Sequence, residues 1–210
     1  LGEVGVYSVA YAIGQGINTL LLNPFSQIWY VVIYELDGKP ELERAVRGVF
    51  RYFFTLLALV MLGVSLFAVP LLRVLVAPEF QPAAELVPVV CLAYLFFSLH
   101  AHFNLPPLLA KRTMATIPPH LLGVVVNVAA NLALIPALGV AGAAWASVAT
   151  FAAYSLGGLA VYRRIRRFDY PLASGALVLV GMIASFVAWS AFTSWTDGPV
   201  TAGGSAAALW

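Results

Sequence analysis

The sequence predicts an all-α, polytopic membrane protein with six transmembrane helices, and three observations carry that expectation. Residues 113–162 form a run of 50 without Asp, Glu, Lys or Arg. A soluble domain has no place for so much continuous apolar chain, whereas two membrane crossings of about 20 residues each absorb it. The run is followed at once by Arg163, Arg164, Arg166 and Arg167, a basic cluster of the kind that marks one side of a bilayer. The composition agrees: 62% of the residues are hydrophobic and 10% charged, against roughly 25% charged in ordinary soluble domains.

Charge-free windows fall at 4–34, 52–72, 86–110, 113–162 and 170–196, and Ile135-Pro-Ala-Leu-Gly139 divides the fourth. The expected helices are therefore 4–33, 47–75, 84–109, 116–135, 140–163 and 172–194. The first is longer than a bilayer needs, and Pro24 is the expected site of a kink. Between the first two, Asp37-Gly-Lys-Pro40 signals a helix start. A surface helix is expected there, with Glu43 and Arg47 paired at i,i+4 and Val46, Val49 and Phe50 as its apolar face.

Lys39, Arg44, Arg47 and Arg51, then Lys111 and Arg112, then the four arginines at 163–167 fall on alternate connections. Only Arg73 lies on the other side. Ten of the 11 basic residues thus share one side, expected to be cytoplasmic. Leu1 is not an initiator and residues 202–210 resemble the start of a further, truncated span, so the chain is expected to be a piece of a longer one. The expected division is 1–165 as one transmembrane lobe and 166–210 as an additional C-terminal transmembrane region.

Polar residues inside the spans are the candidates for function. With Gln15 at zero and 100° per residue, Ser8, Tyr11, Asn18, Thr19, Asn23, Ser26 and Tyr30 share an arc of about 140° on the first helix. Such groups cost too much against lipid, so they face either other helices or a water-filled substrate cavity. On the fourth helix His120, Gly123, Asn127 and Asn131 share a face, suited to interhelical clamping with close approach at Gly123. On the third, His100 and Asn104 share a face and His102 points nearly opposite. An intramembrane histidine either carries a coupling proton or simply bonds a carbonyl.

Several chemistries lack their residues. Cys91 is the single cysteine, which leaves no internal disulfide and no cysteine-based metal cluster. There is no phosphate-cradling glycine loop and no assembled nucleophile–base set. No charged side chain lies near the middle of a span. No enzymatic activity, cofactor, metal or nucleic-acid partner is therefore expected.

The motifs Val4-Gly-Val-Tyr-Ser-Val-Ala-Tyr11, Pro24-Phe-Ser-Gln-Ile-Trp29 and Tyr34-Glu-Leu36 resemble the first helix pair in the C-terminal lobe of bacterial polysaccharide-biosynthesis flippases of the MATE-like superfamily. Leu72-Arg-Val-Leu-Val-Ala-Pro-Glu-Phe80 is similar to that family's outer turn. Leu109-Ala-Lys-Arg112, the stretch Gly123-Val-Val-Val-Asn-Val-Ala-Ala-Asn-Leu-Ala-Leu-Ile-Pro136 and Leu138-Gly-Val-Ala-Gly-Ala-Ala144 continue the likeness. The resemblance implies one lobe of a two-lobe transporter, without the lobe's first helix, in a bacterial cytoplasmic membrane. Its implied substrate is a polyprenyl-pyrophosphate-linked oligosaccharide, with membrane lipid as a neighbour and H+ or Na+ as coupling ion. Gln15, Asn18, Asn23, Tyr30, His100, Asn104, Asn127 and Asn131 become the expected cavity residues. Arg51 becomes the expected capture point for pyrophosphate, since the spans offer no deeper cation. A lipid II flippase and a cation-coupled multidrug exporter are the alternatives within the superfamily. A membrane glycan polymerase or acyltransferase is the alternative outside it.

Overall fold

The computed structural model describes residues 2–197, and all regular structure among them is helical. The first helical rod comprises α1 (Gly2–Ile17), a π-helical turn (Asn18–Leu22) and α2 (Asn23–Leu36). There follow α3 (Glu41–Leu66), α4 (Ala68–Leu75), a 3-10 stretch (Pro78–Glu85), α5 (Val87–Phe103) and α6 (Leu105–Leu109). A short 3-10 turn (Thr113–Thr116) leads to α7 (Ile117–Leu138), α8 (Val140–Tyr162) and α9 (Leu172–Asp197). Among the described residues, four helices are long and apolar enough to cross a membrane: Glu41–Leu66, Val87–Leu109, Thr113–Leu138 and Val140–Tyr162. In α9 the apolar portion is Leu172–Ala188, and the first rod is interrupted by its π turn. The further span expected at 202–210 lies outside the described residues.

Four boundaries differ from expectation. The anticipated surface helix is not separate, because α3 runs unbroken from Glu41, with Pro40 preceding its first turn. The same helix ends at Phe67, so the expected 47–75 span is two helices, α3 and α4. In the third segment Asn104 ends α5, and Pro106 and Pro107 contribute no N–H donors to the short helix that follows. Helix α7 runs through Pro136 to Leu138, three residues past its expected end, and the turn falls on Gly139, inside the expected 135–139 break. Gly139 has φ +57 and ψ −133, a conformation open to glycine and strained for residues with a Cβ.

Helix α5 is the most buried of the long helices and packs on α8, α3 and α1; α8 packs in turn on α7, and α3 on α9. Small residues make this possible. A Cβ at Gly157 would stand 2.8 Å from Leu122, and one at Gly123 would stand 3.3 Å from Tyr154 Cβ. The outer side of α7 is left to Leu121, Val124, Val125, Val128 and Leu132, all exposed.

The basic connections gather at one end of the bundle. Arg166 donates to Asp37 at 2.9 Å, and Arg47 donates to Asp169. Arg47 therefore spans to the α8–α9 connection, in place of the expected pairing with Glu43 on its own helix. Both pairs are well exposed, so each contributes at most about 1 kcal/mol. Aromatic packing beneath them holds more firmly. Phe50 is buried against Phe54, His102, Phe103 and Tyr170. The Tyr170 hydroxyl donates to the His102 carbonyl at 2.6 Å, fastening this connection to the end of α5. Burial raises the Tyr170 phenol above its usual range, an effect the nearby Arg163 guanidinium partly offsets.

This end is expected to face the cytoplasm. In a Cys91→Ser background, cysteines at 39, 111 and 165 should be protected from an impermeant external thiol reagent, whereas those at 79 and 138 should react. External labelling at 165 would reverse the orientation.

Candidate functional site

The first rod presents the longest polar surface, and its π turn decides which residues form it. A π turn accommodates one more residue than an α turn. Here Asn23 N–H bonds Asn18 O, and Pro24, with no N–H to give, follows immediately. Ala10, Gly14 and Ile17 mark the buried face of α1, and Trp29 and Ile33 mark that of α2. At 100° per residue the two sets would lie about 100° apart on an uninterrupted helix. The extra residue brings them onto one side.

The opposite side is an uncovered row at four-residue spacing: Gln15, Thr19, Asn23 and Gln27, all exposed. Ser8 extends it and donates to Val4 O at 2.8 Å. Ser26 and Tyr30, expected on this face, are rotated toward the bundle and half-buried, and Gln27 replaces them. Asn18 is half-buried, with its Oδ1 buried and unpartnered. Sequence periodicity missed Gln27 because it assumed one unbroken helix; Asn23-Pro24 was the available signal.

A second polar site lies where α5, α7 and α8 meet. Tyr154 Oη is 2.6 Å from His100 Nε2 and 2.8 Å from His120 Nε2, while His120 Nδ1 is 2.6 Å from Thr116 O. The His100 ring stacks on Tyr154 with centroids 4.2 Å apart. Two turns along α7, Asn127 Nδ2 donates to Thr150 Oγ1 at 3.0 Å, which donates in turn to Ala146 O at 2.7 Å. Asn131 Nδ2 donates to Asn127 O at 2.8 Å. Of these residues, His120, Asn127, Thr150 and Tyr154 border an open cleft of about 350 Å³, together with Phe97, Gly123 and Phe151. Gly123 provides the close approach expected of it, and Asn127 clamps α7 to α8.

His100 and Asn127 thus meet at one site, joined there by His120. Tyr154 and Thr150 were not anticipated, although their four-residue spacing on an apolar helix was a usable signal. Asn104, one turn beyond His100, keeps a buried and unpartnered Oδ1. His102 does point elsewhere, into a fully buried cage of Phe25, Phe50 and Phe53.

Arg51 belongs to neither site. It lies in an outer groove of about 560 Å³ between α3 and α9, beside Tyr52, Thr55, Leu59, Ser174 and Leu177. Its backbone carbonyl accepts from Thr55 Oγ1 at 2.7 Å. A cation at the basic end of a largely apolar groove is a suitable arrangement for an anionic headgroup with its chain alongside. Among the described residues, no group of three or more His, Cys, Asp or Glu is placed to hold a metal ion.

The available chemistry is therefore neutral hydrogen bonding along the open row, proton exchange at the His100–Tyr154–His120 cluster and one cationic groove. No protein-family model, curated protein or solved structure matches this chain.

Proposed function

We propose that the chain is one lobe of a bacterial cytoplasmic-membrane transporter that flips polyprenyl-pyrophosphate-linked oligosaccharide to the outer leaflet. In this reading the first rod and α9 join the four long apolar helices to make six crossings, with the basic end in the cytoplasm. The open row carries the proposal. Amide side chains facing hydrocarbon are costly, so Gln15, Asn23 and Gln27 call for water or a second lobe across a cavity. Sugars are bound well by many neutral donors and acceptors. Arg51 would receive the pyrophosphate as substrate arrives from the cytoplasmic leaflet, and a proton or sodium gradient would drive the cycle by alternating access. The resemblance of the motifs at 4–11, 24–29 and 123–136 to polysaccharide flippases supports the same reading.

Deleting the gene should stop surface-polysaccharide export and accumulate lipid-linked repeat units on the cytoplasmic side, with sensitivity to cationic drugs unchanged. Normal export in the deletion strain, with cationic dyes retained instead, sinks the proposal in favour of a drug exporter. Accumulated lipid II in its place identifies the cell-wall precursor as the substrate. Cysteine scanning then tests the cavity itself. Reaction with a water-soluble thiol reagent should be at least ten times faster at position 27 than at 26, and fast at 15 and 23. Equal protection at all four positions would mean a packing face.

A further inference from the structure

The hydrogen bonds around Tyr154 have directions that follow from what each partner is able to do. Thr116 O only accepts, so the proton on His120 Nδ1 is fixed there by its 2.6 Å contact. A neutral His120 then has a bare Nε2, and Tyr154 must donate to it across 2.8 Å. With its one proton committed, the Tyr154 oxygen accepts from His100, so His100 carries its proton on Nε2, 2.6 Å away. His100 Nδ1 is left bare, and it is buried with no hydrogen-bond partner. The last point is an independent agreement: the tautomer forced from the His120 end leaves unprotonated the one ring nitrogen that has nothing to donate to.

We propose that His100, Tyr154 and His120 form a two-state proton relay in which a proton bound at His100 Nδ1 leaves its charge on His120. The protons balance along the chain. One proton binds His100 Nδ1; the proton on His100 Nε2 passes to the Tyr154 oxygen; the original phenolic proton passes to His120 Nε2. Tyr154 ends neutral, His100 ends neutral with its tautomer reversed, and His120 ends as imidazolium. Both bonds to Tyr154 persist with reversed direction, so no contact is lost. Asn104 Oδ1, one turn on from His100, is likewise buried and without a hydrogen-bond partner. The charge finishes on an exposed ring whose Nδ1–H stays on the Thr116 carbonyl.

The titratable groups facing the relay are Tyr30 from α2 and Tyr162 from α8; His102, on α5 itself, points away into its phenylalanine cage. Among the described residues no Asp, Glu, Lys or Arg is hydrogen-bonded or ion-paired to any of its three members. A proton is therefore held by the relay without a fixed counter-charge, and its uptake responds to the surroundings. The relay does not rest on the identity of any transported molecule.

Imidazole 15N NMR of the full-length protein in lipid nanodiscs, with His100 and His120 each assigned by substitution, tests the relay. Near neutral pH, His120 should be the Nδ1–H tautomer and His100 the Nε2–H tautomer. On acidification His120 should become imidazolium while His100 switches to Nδ1–H in the same titration step. Tyr154→Phe should abolish the switch at His100 while leaving His120 able to titrate. His120→Gln should lock His100 as Nε2–H through that pH range, which decides the matter even if Tyr154→Phe does not fold. His100 found as Nδ1–H at neutral pH, or a coupled switch that survives Tyr154→Phe, overturns the relay.

Discussion

Gly142→Ala is expected to destabilise the protein by about 3 kcal/mol, at the upper end of what overpacking costs. A Cβ on Gly142 would lie 2.2 Å from Leu134 O, 2.5 Å from its carbonyl carbon and 2.9 Å from Ile135 N. All three are main-chain atoms of α7, with no rotamer to escape into. Relief would require α7 and α8 to separate, and the Gly139 turn joins them three residues earlier. Gly181→Ala is the control, since an added Cβ there meets nothing within 4 Å. Thermal unfolding in detergent should show a fall of several degrees for Gly142→Ala and little change for Gly181→Ala. Equal melting temperatures would show that the helices part more easily than their packing implies.

The double substitution Gln15→Leu with Asn23→Leu is expected to lower flipping at least tenfold while leaving the melting temperature unchanged or higher. Both side chains are exposed and hydrogen-bonded to no other helix among the described residues, so their loss breaks no fold contact. If they line a water-filled path, they contact substrate in several orientations, and two leucines remove donors and acceptors together. Ser26→Ala, on the half-buried side of the same rod, should transport at a rate within twofold of the parent. Export of polysaccharide in a deletion strain complemented with each variant reads out the difference. Full export by the double-leucine variant would assign the row to packing against another chain and leave the cavity without its carrier.

Much of the architecture was legible because charge placement and apolar run length are properties of the chain itself. The uncharged stretch 113–162 became the α7–α8 hairpin, and the alternation of basic connections became one end of the bundle, stitched by Asp37–Arg166 and Arg47–Asp169. What escaped the sequence depended on contacts between distant segments. Arg47 had an attractive partner four residues back, in Glu43, yet Asp169, 122 positions away in the chain, is the one it meets. Of the two asparagines of α7 read as clamps, Asn127 reaches α8 while Asn131 bonds within its own helix, and nothing local said that Thr150 would be the acceptor. His100 and His120 each stood out as a polar residue in an apolar helix. Their association required Tyr154, which in sequence is one aromatic among the 9 tyrosines. The open row was half legible: a uniform helical period placed Gln15 and Asn23 correctly, then went out of phase past Pro24.

That loss of phase bears on how this region tolerates change. Between Ile17 and Trp29 the count of residues matters more than their identity. Removing one from the Asn18–Leu22 turn would let the backbone relax into ordinary α-helix, with every hydrogen bond remade. Asn23–Leu36 would keep its present facing, with Trp29 and Ile33 still in the bundle, because the lost residue and the lost π turn cancel. A single deletion in this turn would thus be absorbed with the two halves of the rod in step, whereas a second, with no spare residue left, would turn them about 100° out of phase.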